Sequence, residues 1–483
     1  VNAALRKVSL GAFLLLLALL VNINVLQAVQ SRSLREKPDN TRAIIASYNV
    51  KRGYIVVGNT VVASSQATDD QLRYLRTYPG GPMYAAVTGY ASQFTRSGIE
   101  AAENSILSGQ DDRLFVHRIS DLVRGKEQNG GIVRLTIDPK VQQAAWDAMQ
   151  GKTGAAVAID PSTGAILAMV STPSYDPSVL AVHDNAKAQA AMDKLLADPG
   201  DPLLNRAIAQ TYPPGSTFKV VTAAAALAGG LTPASTIDAP HRLPLPQTTI
   251  ELHNFNDETC APSGKMTLLA AFQISCNTAF ANLGLQLGQD ALRKQADAFG
   301  FDTTDLSVPM PLSTSVFPAT LNQPQTAQSA IGQFDVRITP LEAAMMAAAV
   351  ANHGTLMKPY LVSSLESQNL QPVETAHPQQ LGTGPVMSSQ VADELTQMME
   401  AVVQKGTGTA AQIPGVTVAG KTGTAQNAPG RAPHAWFIAF VPGATPHIAV
   451  AVIVESGDTG GNDVTGGRVA APIAKAMIEA ARK

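Results

Sequence analysis

The apolar pattern along the chain begins with an unbroken run. Arg6 and Lys7 precede residues 8–29, which carry no charge. At about 1.5 Å per residue such a helix spans roughly 33 Å, enough to cross a bilayer. Its heart, Phe13-Leu14-Leu15-Leu16-Leu17-Ala18-Leu19-Leu20-Val21, is strongly apolar, and Asn22, Asn24 and Gln27 weaken the far end. The nearest small-x-small triplet, Ser31-Arg32-Ser33, has an arginine inside it and makes a poor cleavage site. The pattern therefore predicts an uncleaved anchor, with the basic end in the cytoplasm and the bulk of the chain outside.

Beyond the anchor the pattern becomes mixed. Residues 52–58 read as turn, strand and turn, residues 72–78 as a strand, and residues 113–124 as a short helix. No reactive constellation appears there, so residues 31–131 read as a structural or docking domain. Gly130-Gly131 breaks the chain before a strand at 132–138, and Pro139 opens an amphipathic helix. Two strands, 155–159 and 165–170, flank the turn Asp160-Pro161-Ser162-Thr163-Gly164 and predict a β-hairpin.

Tyr212-Pro213-Pro214-Gly215 cannot lie inside a helix, so the alanine-rich stretch behind it should start a helix near Ser216. A Pro-rich loop region follows at 232–247, then a helix at 268–287 containing Ser275-Cys276-Asn277, and an alanine-rich helix at 340–352. Residues 366–385 read as a surface loop. Residues 416–419 lead into Gly420-Lys421-Thr422-Gly423-Thr424, and strands at 435–441 and 447–455 precede a last helix at 469–482. Helices in the middle and strands at both ends predict an α/β sandwich whose sheet draws on both ends of the segment 132–483.

Composition narrows the function classes. A length of 483 residues implies two or three domains. The net charge of -2 gives no reason to invoke nucleic acid. Eight scattered histidines and two cysteines show no metal-ligand spacing, so neither a metal nor a cofactor is expected. Gly420-Lys421-Thr422 resembles the tail of a phosphate loop but lacks the glycine five residues earlier. Cys260 and Cys276 are either a disulfide closing a loop of about 15 residues or two free thiols; spacing leaves both open.

The candidate chemistry centres on Ser216-x-x-Lys219. Positions i and i+3 share a helix face, so the Lys219 amine can reach the Ser216 hydroxyl, and the first-turn N–H groups lie beside it. Two further signatures follow in order, Ser275-x-Asn277 and Lys421-Thr422-Gly423. Each is weak alone: Ser-x-Asn recurs at Ser47 and Ser367, and Lys-Thr-Gly at Lys152, which opens the hairpin and reads as structural. Order and context select the copies that fit acyl transfer. Lys219, made neutral by burial or by Lys421 nearby, would take the serine proton. Ser275 would relay a proton to the leaving group and Asn277 would orient Lys219 and the substrate amide. The N–H groups of Ser216 and Thr424 would form an oxyanion hole. Thr422, Gly423 and Thr424, with the charge of Lys421, suit a terminal carboxylate.

In this order the three motifs resemble those of the class B penicillin-binding proteins. The likeness runs from the anchor to the last helix. It includes Arg52-Gly53-Tyr54-Ile55, Leu135-Thr136-Ile137-Asp138, Asn205-Arg206-Ala207, Ile331-Gly332-Gln333 and Gly420-Lys421-Thr422-Gly423-Thr424-Ala425. Phe334 departs from it, standing where many relatives carry a glycine, and should alter a loop rather than the chemistry.

The resemblance implies the serine-transpeptidase fold: an antiparallel sheet flanked by helices plus an all-helical subdomain (132–483), on an elongated α+β pedestal of the dimerisation type (31–131) behind the anchor (1–30). It implies a D,D-transpeptidase that cross-links peptidoglycan stem peptides through Ser216, is inhibited by β-lactams, and works with a membrane glycosyltransferase of the SEDS type. A β-lactamase needs a base for deacylating water, and no Glu-x-x-Leu-Asn occurs. A D,D-carboxypeptidase, or a non-catalytic β-lactam sensor or scaffold, remains as the alternative.

Overall fold

A computed structural model describes residues 2–28, 45, 48–114, 129–304, 306, 308–426, 432–443, 445, 447–457 and 465–482. The first element is a solvent-exposed helix, Asn2–Ala28, long and apolar enough to cross a membrane. Of the helix expected over 113–124, only the start is described, as the single turn Asp112–Leu114; the remainder lies outside the described residues.

Two large sheets organise the rest. The strands are β1 (Ile55–Val57), β2 (Thr60–Ala67), β3 (Tyr74–Thr77), β4 (Ile132–Leu135), β5 (Gly154–Ile159) and β6 (Ile166–Thr172). The short strands β7 (Thr236–Asp238), β8 (Arg242–Pro244), β9 (Glu251–His253) and β10 (Lys265–Thr267) follow. The last are β11 (Val362–Glu366), β12 (Pro372–Thr375), β13 (Ala419–Ala425), β14 (His434–Phe440) and β15 (Ala449–Val454). One sheet has the order β12-β11-β4-β1-β2-β3, the other β13-β14-β15-β5-β6. The first therefore joins strands from both sides of residue 131, with β4 parallel to β1 and antiparallel to β11. Two loops expected from the sequence carry short strands instead. Residues 232–247 include β7 and β8, and residues 366–385 include β12. Each is polar because one face meets solvent, which a search for apolar runs does not detect.

The five-stranded sheet is antiparallel throughout and buried on both faces. Alternate residues of a strand point to opposite faces. Trp436, Ile438 and Phe440 of β14 join the core that holds the central helices, whereas Ala435, Phe437 and Ala439 pack with residues of the helices Pro139–Met149 and Gly466–Ala481. Burial on both sides explains why these strands read as continuous apolar runs. The helix Pro340–Ala351 packs on the sheet, and the helix Lys219–Ala228 lies among the helices Asn277–Ala298 and Ser389–Lys405, buried through Leu227, which is why its sequence is apolar all round.

Strand β13 forms the open edge of this sheet and carries Lys421-Thr422-Gly423. Antiparallel partners share a face, so Lys421, opposite Ile438, points toward the central helices. Thr422, opposite Phe437, points the other way. The second Lys-Thr-Gly stands elsewhere: Gly154 begins β5, three strands from Thr424 along one cross-strand row, about 14 Å away.

Candidate active site

The Ser216 turn is held from several sides. Tyr212 exchanges backbone hydrogen bonds with Ile338, both 2.9 Å. Its phenol donates to Glu455 at 2.6 Å, and Glu455 also accepts from Arg206 at 2.9 Å. Trp436 Nε1 donates to the Pro213 carbonyl at 3.0 Å. The two prolines stop any earlier helix, and Gly215 then takes φ 52°. A Cβ there would sit 2.7 Å from the Thr424 carbonyl, so glycine lets the turn press against β13. Gly332, at φ 70°, backs the turn on its other side: its carbonyl accepts from Gly215 N at 2.9 Å, and a Cβ on it would lie 2.1 Å from the Gly215 carbonyl. Gly215–Phe218 forms a 3-10 turn that becomes α-helical at Lys219. Ser216 is half-buried at its head.

The second motif departs from the expected continuous helix. One helix ends at Gln273 and the next starts at Asn277. Ser275 lies in the break with φ 62°, a conformation unusual for a residue with a side chain. The break turns both Ser275 and Asn277 toward Lys219, which an unbroken helix would not do, since positions i and i+2 lie on different faces. Cys276, between them, is disulfide-bonded to Cys260, with Cα atoms 6.0 Å apart.

Lys219 and Lys421 converge on Ser275. Lys421 Nζ lies 2.8 Å from Ser275 Oγ, and Lys219 Nζ 3.2 Å from the same oxygen. Lys219 also donates to the Ser275 carbonyl at 2.7 Å and to Asn277 Oδ1 at 2.8 Å. No hydrogen bond joins Lys219 to Ser216 in this structure, although the i, i+3 spacing suggested that reach. A neutral amine has two N–H donors and one lone pair. The Ser275 carbonyl and Asn277 Oδ1 take the two donors, which leaves the lone pair for a hydroxyl.

Both lysines are fully buried over an aromatic floor. Lys219 Nζ lies 5.6 Å from the Phe280 ring centre and Lys421 Nζ 5.5 Å from that of Phe272; the two rings are 5.9 Å apart. Burial, and then the charge of Lys421, hold the Lys219 amine well below the usual lysine range. Burial alone brings Lys421 down to about 7. Burial thus favours the uncharged form of the Lys219 amine, the form that can accept a proton.

Thr422 is nearly buried, and its hydroxyl lies 2.6 Å from that of Thr407. Thr424 is half-buried on β13 beside Gly215. Gly423 packs against Trp436 and Thr217. Phe334 takes φ 61°, the region glycine occupies most easily, and its carbonyl accepts from Arg337 at 3.0 Å. Thr407, Glu455 and Asn254 also support the site and carry no signal in the sequence. No motif marks them, and each acts across a gap in the chain.

A half-buried serine heading a buried helix, with a buried lysine one turn on and a second lysine sharing a serine hydroxyl, brings together the groups that serine acyl transfer needs. Comparison with known proteins agrees. Residues 154–479 match the model of the penicillin binding protein transpeptidase domain, and residues 52–133 that of the penicillin binding protein A dimerisation domain. The chain belongs to the penicillin-binding protein transpeptidase family. It is 46% identical to "Peptidoglycan D,D-transpeptidase PbpA" of Mycolicibacterium smegmatis and 43% identical to the protein of the same name from Mycobacterium tuberculosis, covering 99% of both chains in each case. Among solved structures it is similar to penicillin-binding protein A from M. tuberculosis as a ceftriaxone acyl-enzyme complex. There the TM-score is 0.88 and the identity 44%, over 91% of this chain and all of that one.

Proposed function

We propose that the chain is a peptidoglycan D,D-transpeptidase acting through a Ser216 acyl-enzyme, with β-lactams as suicide substrates. The observation that carries the reading is the Ser275 hydroxyl shared by Lys421 and Lys219 one helical turn from Ser216. Ser216 Oγ attacks the carbonyl carbon between the two D-alanines of a donor stem, and the Lys219 lone pair takes its proton. The oxyanion rests on the backbone N–H groups of Ser216 and Thr424. Collapse breaks the C–N bond, and the departing D-alanine nitrogen receives its proton through Ser275. The amine of an acceptor stem then attacks the ester. It forms the cross-link, loses its proton by the reverse path and restores the Ser216 hydroxyl. Lys421 neutralises the substrate carboxylate at the open edge of β13, where Thr422, Gly423 and Thr424 of the same strand lie beside it, the Thr422 hydroxyl held on Thr407. Asn277 orients Lys219 and the substrate amide.

The same reading divides the chain into anchor (1–30), pedestal (31–131) and transpeptidase domain (132–483). The apolar helix with Arg6 and Lys7 at its start supports a single span with the active site outside the cytoplasm. A SEDS-type glycosyltransferase is the expected partner that supplies glycan strands. The test is cross-linking of polymerised lipid II by the full chain together with such a glycosyltransferase. Wild type should yield dimeric stems and free D-alanine, and Ser216→Ala neither. Free D-alanine without cross-links would instead identify a carboxypeptidase.

A further inference from the structure

The first N–H groups of a helix need acceptors, which the residue at the helix start commonly supplies from its own side chain. The helix Asn277–Ala298 starts on Cys276, whose side chain caps nothing and is bonded to Cys260. The acceptor comes from 23 residues upstream. Asn254 Oδ1 accepts from the backbone N–H of Asn277 at 2.8 Å and of Thr278 at 3.1 Å. Asn254 Nδ2 donates to the Glu258 carbonyl at 2.9 Å and lies 3.3 Å from Thr278 Oγ1. Asn254 is 5% exposed, so its own side chain is largely sheltered from water. The loop from Asn254 to Cys260 is thus fastened to the second motif at two adjacent points: a hydrogen-bonded cap on Asn277 and Thr278, and a disulfide on Cys276.

Asn277 stands between this loop and the reaction. Its backbone N–H is held by Asn254, and its side-chain oxygen accepts from Lys219 Nζ at 2.8 Å. We propose that Asn254 is a positioning residue for acyl transfer: by fixing the backbone of Asn277 it holds Asn277 Oδ1 on Lys219 and keeps the amine dry and aimed. The inference rests on Lys219 being the base. Replacing Asn254 by alanine leaves one part-buried and one buried N–H group without their acceptor and lets the second motif drift from Lys219. Water then reaches the amine, the burial that holds its pKa down is relieved, and more of it is protonated near neutrality. Lys421 is the charged group that faces Lys219, and it stays in place. His253 and Glu258, the titratable neighbours of Asn254, lie on the loop itself.

The test measures acylation of the full chain by a fluorescent penicillin across pH, separating the labelled fraction from the rate constant. Asn254→Ala should acylate about tenfold or more slowly at neutral pH. The acid limb of its rate profile should move to higher pH, with the labelled fraction at completion unchanged. Asn254→Asp, which keeps the accepting oxygen, should stay within about threefold of wild type. Where the alanine variant yields no folded protein, Asn254→Ser, one bond too short to reach Asn277, should show the same shift of the limb. A lower labelled fraction with an unmoved limb would reduce Asn254 to a folding role and overturn the proposal. So would equal losses in Asp and Ala, or no loss in Ala. If wild type itself is not labelled, the transpeptidase reading fails rather than this one.

Discussion

Ser275 makes two separable contributions, one through its hydroxyl and one through its backbone, and two substitutions pull them apart. The hydroxyl lies within hydrogen-bonding distance of both lysines. The backbone sits at φ 62°, where a side chain costs about 1 to 2 kcal/mol and glycine almost nothing. Ser275→Ala and Ser275→Gly both delete the hydroxyl, but only glycine relieves the backbone. Without the hydroxyl, Lys421 Nζ keeps the Thr422 carbonyl at 3.1 Å and loses its 2.8 Å partner. A buried charged donor short of a partner costs about 1 to 3 kcal/mol. The proton path from Lys219 to the leaving group is cut as well. Acylation by penicillin, followed by stopped-flow fluorescence, should therefore fall by about 100-fold or more in both variants. Thermal unfolding should nonetheless rank glycine above alanine by about 1 kcal/mol. Near-wild-type acylation by Ser275→Gly would refute the proton path. Alanine matching or exceeding glycine in stability would refute the left-handed backbone.

Other substitutions probe the supports around the site. Gly332→Ala places a Cβ about 2 Å from the Gly215 carbonyl at a position with positive φ, and should destabilise the chain by about 2 kcal/mol or more with acylation slowed in parallel. Denaturant melts and penicillin labelling check both effects. Glu342 is buried, its Oε1 has no partner, and burial pushes its pKa up to about 8. Folded chains therefore hold a proton that unfolded chains release between the ordinary glutamate range and about pH 8, so stability falls as pH rises through that window. Glu342→Gln should remove this component, and its advantage in urea melts should grow from pH 5 to pH 8. Lys152→Ala alters the copy of Lys-Thr-Gly that opens β5, and should leave the acylation rate within about twofold of wild type.

Much of this architecture is legible in the chain because it depends on local chemistry. Apolar runs mark strands buried on both faces, Pro-Pro-Gly marks the start of the serine helix, and the charge-free N-terminal run marks the membrane-length helix. The family follows from three short motifs in the right order. What stayed hidden depends on contacts across sequence. Residues 268–287 have good helical character, and nothing local announces the break at Ser275. The break is stabilised by Lys219 donating to the Ser275 carbonyl and by a cap from Asn254. Thr407 likewise meets Thr422 only because β13 and the turn after the helix Ser389–Lys405 are brought together. The six-stranded sheet joins β4 to both β1 and β11, a pairing between segments that no periodicity reports.

In the proposed mechanism Ser216 carries the acyl group. Purified chain should be incubated with penicillin, digested, and the modified peptide located by mass. One adduct is expected, on the peptide containing Ser216, and none in Ser216→Ala. An adduct on any other residue, or equal labelling of the Ser216→Ala protein, would contradict it.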